Sequence, residues 1–293
     1  MLNAKGPLLL ASNHPNSFLD GVILTTLFEK NIYSLTRGDV FKTRKYEKLL
    51  RWMHLLPIYR TSEGTENLTH NYTTFEACHE VFAKNGVVMI FSEGRCVNEW
   101  HLRPLRKGTA RLAVSTWQKD IDLKVIPVGF NYSPFRNFGK NVFINFGEPI
   151  HKEKVLQHAS DGKLLLSFNE QLNEQLEKLV YEINSSDKKK IKEELYVAQP
   201  IEKQILLALP ALAGFVIHTP LYFSVKGITK KYFDNDHFDS VVAGLLMLAY
   251  LIYLPLLCIA AGLFFGWKMA LLSFILIPFS AWACVQLKNQ LDS

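Results

Sequence analysis

The stretch Ala11-Ser12-Asn13-His14-Pro15-Asn16-Ser17-Phe18-Leu19-Asp20 carries the residue pair best suited to chemistry in this sequence of 293 residues. A histidine changes charge near neutral pH, and a carboxylate beside it can fix its tautomer and stabilise the imidazolium. His14 and Asp20 are therefore candidates for a general base and its orienting partner. One His and one Asp six positions apart also fit an ordinary polar turn, so the pair gains weight from its company. That company is Pro57-Ile58-Tyr59-Arg60, then Phe91-Ser92-Glu93-Gly94-Arg95, then Arg103-Pro104-Leu105-Arg106-Lys107-Gly108-Thr109, and last Ile126-Pro127-Val128. Each falls where a strand is expected to end, on one side of a sheet, where arginines can grip a phosphate bidentately. Taken singly, Glu93 and Arg95 read as a surface ion pair, residues 103–107 as a solvated helix start, and Pro127 as an edge or bulge device.

Other chemistries find no support. The sequence has no G-x-x-x-x-G-K-[ST] phosphate loop, no G-x-G-x-x-G, no G-x-S-x-G elbow and no H-E-x-x-H. Its nine histidines do not cluster at metal-ligand spacing. A metal site and a nucleic-acid partner are not expected.

Four blocks in this order resemble the glycerolipid acyltransferases, the lysophosphatidate and glycerol-3-phosphate acyltransferase group. Asn13-His14 through Asp20 is similar to the family's first block, Arg60 to the arginine of the second, Phe91-Ser92-Glu93-Gly94-Arg95 to the third, and Pro127 to the proline of the fourth. The resemblance covers roughly residues 7–150. It implies that His14 deprotonates an acceptor hydroxyl, which attacks an acyl thioester, and that Asp20 holds His14 in the productive tautomer. Arg60, Glu93, Gly94 and Arg95 would bind the acceptor's phosphate and polar head, with Asn13 beside them. There are two departures. Five residues, Pro15 to Leu19, separate His14 from Asp20 instead of the usual four. Ser92 replaces the usual proline and the threonine of the third block is missing, so Arg103, Arg106 or Lys107 can share the phosphate. No cofactor is implied beyond the co-substrate, acyl-CoA or acyl-carrier protein.

These residues need a scaffold. Apolar runs rich in β-branched residues predict strands at 7–12, 32–36, 55–59, 87–91, 125–130 and 142–146. Helical spacing fills 17–29, 44–53, 66–84 and 107–119. Alternation of this kind predicts an α/β domain with a mixed, largely parallel sheet flanked by helices. From 163 to 195 an apolar stripe, Leu165, Phe168, Leu172, Leu176, Leu179 and Ile183, predicts one amphipathic helix. The lysines at 188–190 and 192 suit either a solvated end or anionic lipid.

The composition divides the chain. Its formal charge is +6, but residues after 203 hold five Lys against four Asp, which leaves +5 on residues 1–203. The overall 48% hydrophobic content therefore reflects an apolar tail, and disordered, collagenous and disulfide-scaffold classes are excluded. Residues 241–266 and 269–287 are uncharged runs of membrane-crossing length, separated by an interfacial Trp and Lys, and predict a transmembrane hairpin. Residues 205–225 either span or are re-entrant; the lysines that follow favour the second, because positive loops stay inside. The expected organisation is an acyltransferase domain over 1–203 and a C-terminal transmembrane helical tail over 204–293. Four scattered cysteines and the lack of a signal-peptide pattern predict a reducing compartment. The expected location is the inner membrane, multi-pass, with the catalytic domain on the cytoplasmic face. The first block begins about twelve residues from Met1, where the family generally has a preceding helical segment. Either the start is truncated or the tail has taken over the anchoring. The expected partners are the bilayer, a thioester donor and a glycerol-3-phosphate or lysophosphatidate acceptor. Another lysolipid or aminolipid acceptor, and an inactive lipid-binding protein, are the alternatives.

Overall fold

The computed structural model describes residues 6–59, 70–157 and 160–288. It forms two compact units, the first comprising Met1–Asn131 and Phe143–Asn184, the second Tyr132–Val142 and Ser185–Ser293.

The first unit is built on six strands, β1 (Leu8–Ser12), β2 (Ile32–Arg37), β3 (Leu55–Ile58), β4 (Val87–Phe91), β5 (Lys124–Tyr132) and β6 (Val142–Phe146), in the order β3-β2-β4-β1-β5-β6. β1 pairs in parallel with β4 and β5, and β2 in parallel with β3 and β4. The Gly147 N–H donates to Pro127 O at 2.9 Å and the Ser133 N–H to Asn141 O at 3.0 Å, so β6 returns antiparallel. The sheet is therefore mixed and mostly parallel. Its central strands are buried on both faces, which is why they read as unbroken apolar runs instead of alternating. Every residue of β1 is buried.

The helices of this unit are α1 (Phe18–Leu27), α2 (Arg44–Trp52), α3 (His70–Ala83), α4 (Lys107–Trp117), α5 (Lys152–Val155) and α6 (Asp161–Leu179), with a 3-10 turn at Gly38–Phe41. The steps β1–β2 and β2–β3 run one way along the sheet, while β3–β4 and β4–β5 run the other. Right-handed crossovers then put α1 and α2 on one face and α3 and α4 on the opposite face. Side-chain alternation agrees. Leu9, Ala11, Val88 and Ile90 enter the core with Phe82, Leu112, Trp117 and Leu172, whereas Met89 closes on Gly21 of α1.

The single helix expected over 163–195 is two helices. α6 ends at Leu179, Val180 is extended, and α7 (Lys188–Leu195) starts at Asp187, whose carboxylate accepts the Lys190 N–H at 3.0 Å. The chain between them is captured by the sheet. Asn131 Oδ1 accepts the Tyr181 N–H at 2.7 Å, and Leu179 O accepts from the Asn131 and Asn145 amides at 2.9 Å each. A side chain at Gly129 would strike Leu179 O, so only glycine admits this approach. These tertiary hydrogen bonds outcompete the helix, although the apolar spacing continues through Ile183. The helix expected over 66–84 is described from His70; residues 66–69 lie outside the described residues.

The second unit holds α7 and three long helices, α8 (Ile201–Tyr232), α9 (Phe238–Phe265) and α10 (Trp267–Leu287). All three are long and apolar enough to cross a membrane. Residues 205–225 lie within α8, which also contains Pro210 and Pro220. Tyr253 Oη donates to Ile217 O at 2.6 Å, giving a partner to a carbonyl near Pro220. Gly266, at φ 88, makes the whole turn between α9 and α10. Residues 132–142 join this unit through a buried ion pair, Lys140 Nζ to Asp239 Oδ2 at 2.5 Å, and through Lys288, which donates to Phe138 O.

Candidate active site

The site begins where β1 stops. Asn13 anchors the turn: its Nδ2 donates to Phe130 O at 3.0 Å and its Oδ1 accepts the Phe130 N–H at 2.8 Å. An amide bonded both ways to the backbone next to β1 fixes the height at which His14 leaves the sheet. Asn13 is 3% exposed and serves as this clamp.

His14 Nδ1 lies 2.9 Å from Asp20 Oδ2. The extra residue between them is taken up by the turn. Ser17 stands at φ 53, ψ −137, a backbone state that non-glycine residues rarely adopt, and its N–H donates to Cys96 Sγ at 3.0 Å. The Asn16 N–H donates to the same Asp20 oxygen at 2.9 Å. Asp20 therefore sits in the first turn of α1, pointing back at the histidine, and is completely buried, while the His14 side chain is 14% exposed. The His14 ring stacks on Phe91 with 3.7 Å between centroids and 16° between planes. Ring position and ring rotation are thus both set. With Nδ1 turned to Asp20, Nε2 is the nitrogen free to take a proton, and it has no hydrogen-bond partner among the described residues.

Glu93 joins the blocks. Its Oε2 accepts the His14 N–H at 2.9 Å and its Oε1 accepts the Arg103 N–H at 2.9 Å. Burial raises its pKa, opposed by those two backbone hydrogen bonds and by the charges of His14 and Arg103. Each carboxylate oxygen already carries a backbone donor, so Glu93 acts as a strut between the turn and the basic stretch. Gly94 turns the chain at φ 72, its N–H bonded to Phe91 O at 3.1 Å, and an added Cβ would come within 3.0 Å of Arg106 Cγ.

Beyond Gly94 lie the cations. Arg103 pairs with Glu99 at 2.6 Å. Arg95, Arg106 and Lys107 are exposed and have no carboxylate partner among the described residues. Arg106 is held by its N–H to Ser92 O at 2.7 Å, and Lys107 opens α4. The structure thus brings Asn13, His14, Asp20, Glu93 and Gly94 together and carries Arg95 and Lys107 on the segment tied to them. Arg60 lies outside the described residues. Pro127, expected at a strand end, is the fourth residue of β5 and faces Ala11 in the register. It marks an irregularity instead. Gly147 opposes Pro127 but Ile150 opposes Val125, so one extra residue bulges on the partner side where proline cannot donate.

Three contributors escape the sequence reading: Phe91 as a stacking platform, Asn16 as a donor to Asp20, and Cys96 as an acceptor for the turn. Only the parallel register, in which Ser12 faces Phe91, puts that ring beside the histidine.

A histidine held by a buried carboxylate thus stands at the carboxyl edge of the parallel strands, an arrangement suited to group transfer, and the similarities of the chain bear on that reading. Residues 1–131, somewhat under half of the chain, match the family model described as Acyltransferase. Glycerol-3-phosphate O-acyltransferase 1 of Saccharomyces cerevisiae is 35% identical over 83 residues, which is 27% of this chain and 11% of that protein. The chain thus spans about a tenth of the length of the curated relative it matches. Among solved structures, the 1-acyl-sn-glycerophosphate (LPA) acyltransferase PlsC of Thermotoga maritima is similar over 61% of this chain and 68% of that one, with 14% identity and a TM-score of 0.41.

Proposed function

We propose that this chain is a membrane-bound O-acyltransferase that moves an acyl group from a thioester to a hydroxyl of glycerol-3-phosphate or lysophosphatidate. The observation that carries the reading is the His14–Asp20 contact of 2.9 Å, with the aspartate fully buried and the histidine partly open. In this reading His14 Nε2 takes the hydroxyl proton as the oxygen attacks the thioester carbonyl. The resulting imidazolium is stabilised by Asp20. Collapse of the tetrahedral intermediate breaks the C–S bond, and the thiolate leaves with the proton returned by His14. A thiol is a good leaving group, so the chemistry asks for no metal and no covalent enzyme intermediate. The donor is acyl-CoA or acyl-carrier protein.

Arg95, Lys107 and Arg60 would receive the acceptor phosphate, helped by the positive N-terminus of α4. The yeast relative named above for glycerol-3-phosphate supports this acceptor class. The catalytic part would be residues 1–203 and the anchor 204–293. α9 and α10 would form the spanning hairpin, with Lys226, Lys230, Lys231 and Lys288 on the cytoplasmic face of an inner membrane.

The test uses full-length protein in detergent with palmitoyl-CoA and a panel of glycerol-3-phosphate, lysophosphatidate and lysophosphatidylcholine, reading free thiol. Wild type should release thiol with the phosphomonoester acceptors and His14→Ala should not. Indistinguishable rates for the two proteins would sink the enzyme reading. Equal rates with lysophosphatidylcholine would sink the acceptor assignment.

A further inference from the structure

The two helix layers of the α/β unit are unequal. On one face α3, α4 and α6 bury their apolar stripes. On the other, α1 covers the sheet with Leu24 while Phe18 and Val22 point outward, each 48% exposed. No residue of α2 is fully buried, and among its apolar side chains only Leu50 is partly covered. The helix carries Tyr46 at 62% exposure and Trp52 at 78%, with Leu49 and Met53 also exposed. At ~100° per residue, Tyr46, Leu49, Leu50 and Met53 form one stripe and Trp52 flanks it. Exposed aromatic and aliphatic side chains on a helix with no core role cost solubility and contribute nothing to packing.

The rest of α2 says what covers this face. Arg44, Lys45, Lys48 and Arg51 stand against Glu47 alone, which pairs with Arg51 at 2.9 Å, so the helix is +3. A basic polar side, an apolar stripe and Trp and Tyr at its margins match a helix lying in the plane of a lipid interface. A protein partner would tolerate this pattern, but membrane-length helices in the same chain already supply a bilayer. The negative surface potential of an anionic leaflet attracts cations placed close to it.

We propose that α1 and α2 together form a bilayer-docking face of the α/β unit, with Tyr46, Leu49, Trp52 and Met53 inserted among the acyl chains and Arg44, Lys45 and Lys48 on anionic head groups. Crossover handedness puts both helices on the same face of the sheet, so they can meet one surface at once. The turn holding His14 opens directly into α1, which brings a lipid acceptor within reach without requiring it to leave the bilayer.

Trp52 is the reporter. Full-length wild type and Trp52→Phe are reconstituted into vesicles of phosphatidylcholine and phosphatidylglycerol, with or without bromine on the acyl chains. The chain has five tryptophans, and subtracting the two spectra isolates Trp52. Its difference spectrum should be blue-shifted and lose more than half its intensity to brominated lipid. Replacing Arg44, Lys45 and Lys48 with Gln, or omitting phosphatidylglycerol, should restore most of that intensity. A difference spectrum at the water position, unquenched by bromine, overturns the proposal. A Trp52 shielded from acrylamide but unquenched by bromolipid overturns it in favour of a second copy of the chain. The readout does not involve acyl transfer, so it stands or falls independently of the proposed reaction.

Discussion

The turn that holds His14 and the stretch from Arg95 to Lys107 are tied together by Glu93 in one candidate site and are made in opposite ways. In the turn nearly every polar group is already engaged: Asn13 with Phe130, His14 with Asp20 and Glu93, Asn16 with Asp20, Ser17 with Cys96. In the basic stretch the backbone is fixed by Glu93 and Ser92, while Arg95, Arg106 and Lys107 extend into solvent. Groups that must hold a proton at a defined angle are pre-organised, because reorganisation during reaction adds to the barrier. Groups that catch a charged ligand remain hydrated and mobile until it arrives. Variants should therefore separate cleanly, those in the turn changing kcat and folding, those in the basic stretch changing KM.

His14→Ala and Asp20→Asn should have the largest effects. Loss of a positioned general base typically costs ~10²–10⁴ in rate, and thiol release at saturating acceptor should fall by that order while the thermal transition of Asp20→Asn stays cooperative. An Asp20→Asn protein that retains wild-type kcat would break the contrast at its strongest point. Next is Glu93→Gln. The amide can accept one of the two backbone N–H groups but turns a donor toward the other, and a buried unmet donor costs ~1–3 kcal/mol. Its pH dependence is also diagnostic. Burial lifts the Glu93 pKa, so the folded state holds this proton more tightly than the unfolded state. The stability this lends is present at acid pH and lost as pH rises from the ordinary carboxylate range through the raised value. The stability gap between wild type and Glu93→Gln, from denaturant titrations in detergent, should narrow as pH rises across that window. Gly94→Ala follows, at about 1–2 kcal/mol for a β-carbon at φ 72, visible as a lower Tm.

Strands and most helices were legible in the sequence because the buried strands are continuous apolar runs and the helices keep their spacing. β4 and β6 begin and end where the runs at 87–91 and 142–146 do. The helix break at 180–187 was hidden, since Leu179 and Ile183 continue the stripe and only Asn131, Asn145 and Gly129, distant in sequence, redirect the backbone. The same holds in the site. His14 and Asp20 could be read from residue type and order, but the closure of a five-residue spacer depends on the Ser17 backbone, and the roles of Asn13 and Glu93 depend on partners 117 and 79 residues away. Residue types showed which groups can do chemistry. Register decided which of them are struts.

Arg95 and Lys107 should show the smallest effects and give the sharpest test of the contrast. Both side chains are exposed, and an exposed charge contributes under ~1 kcal/mol to stability, so Arg95→Gln and Lys107→Gln should leave Tm unchanged. With a phosphomonoester acceptor each should raise KM a few-fold at low salt, leave kcat alone, and lose most of that difference as ionic strength approaches 0.5 M, where the Debye length falls to about 4 Å. Steady-state thiol release at two salt concentrations measures all three. Should kcat fall instead, the basic stretch is aligning the reacting hydroxyl and not only capturing phosphate, and the division between a rigid turn and a hydrated grip would have to be redrawn to include α4.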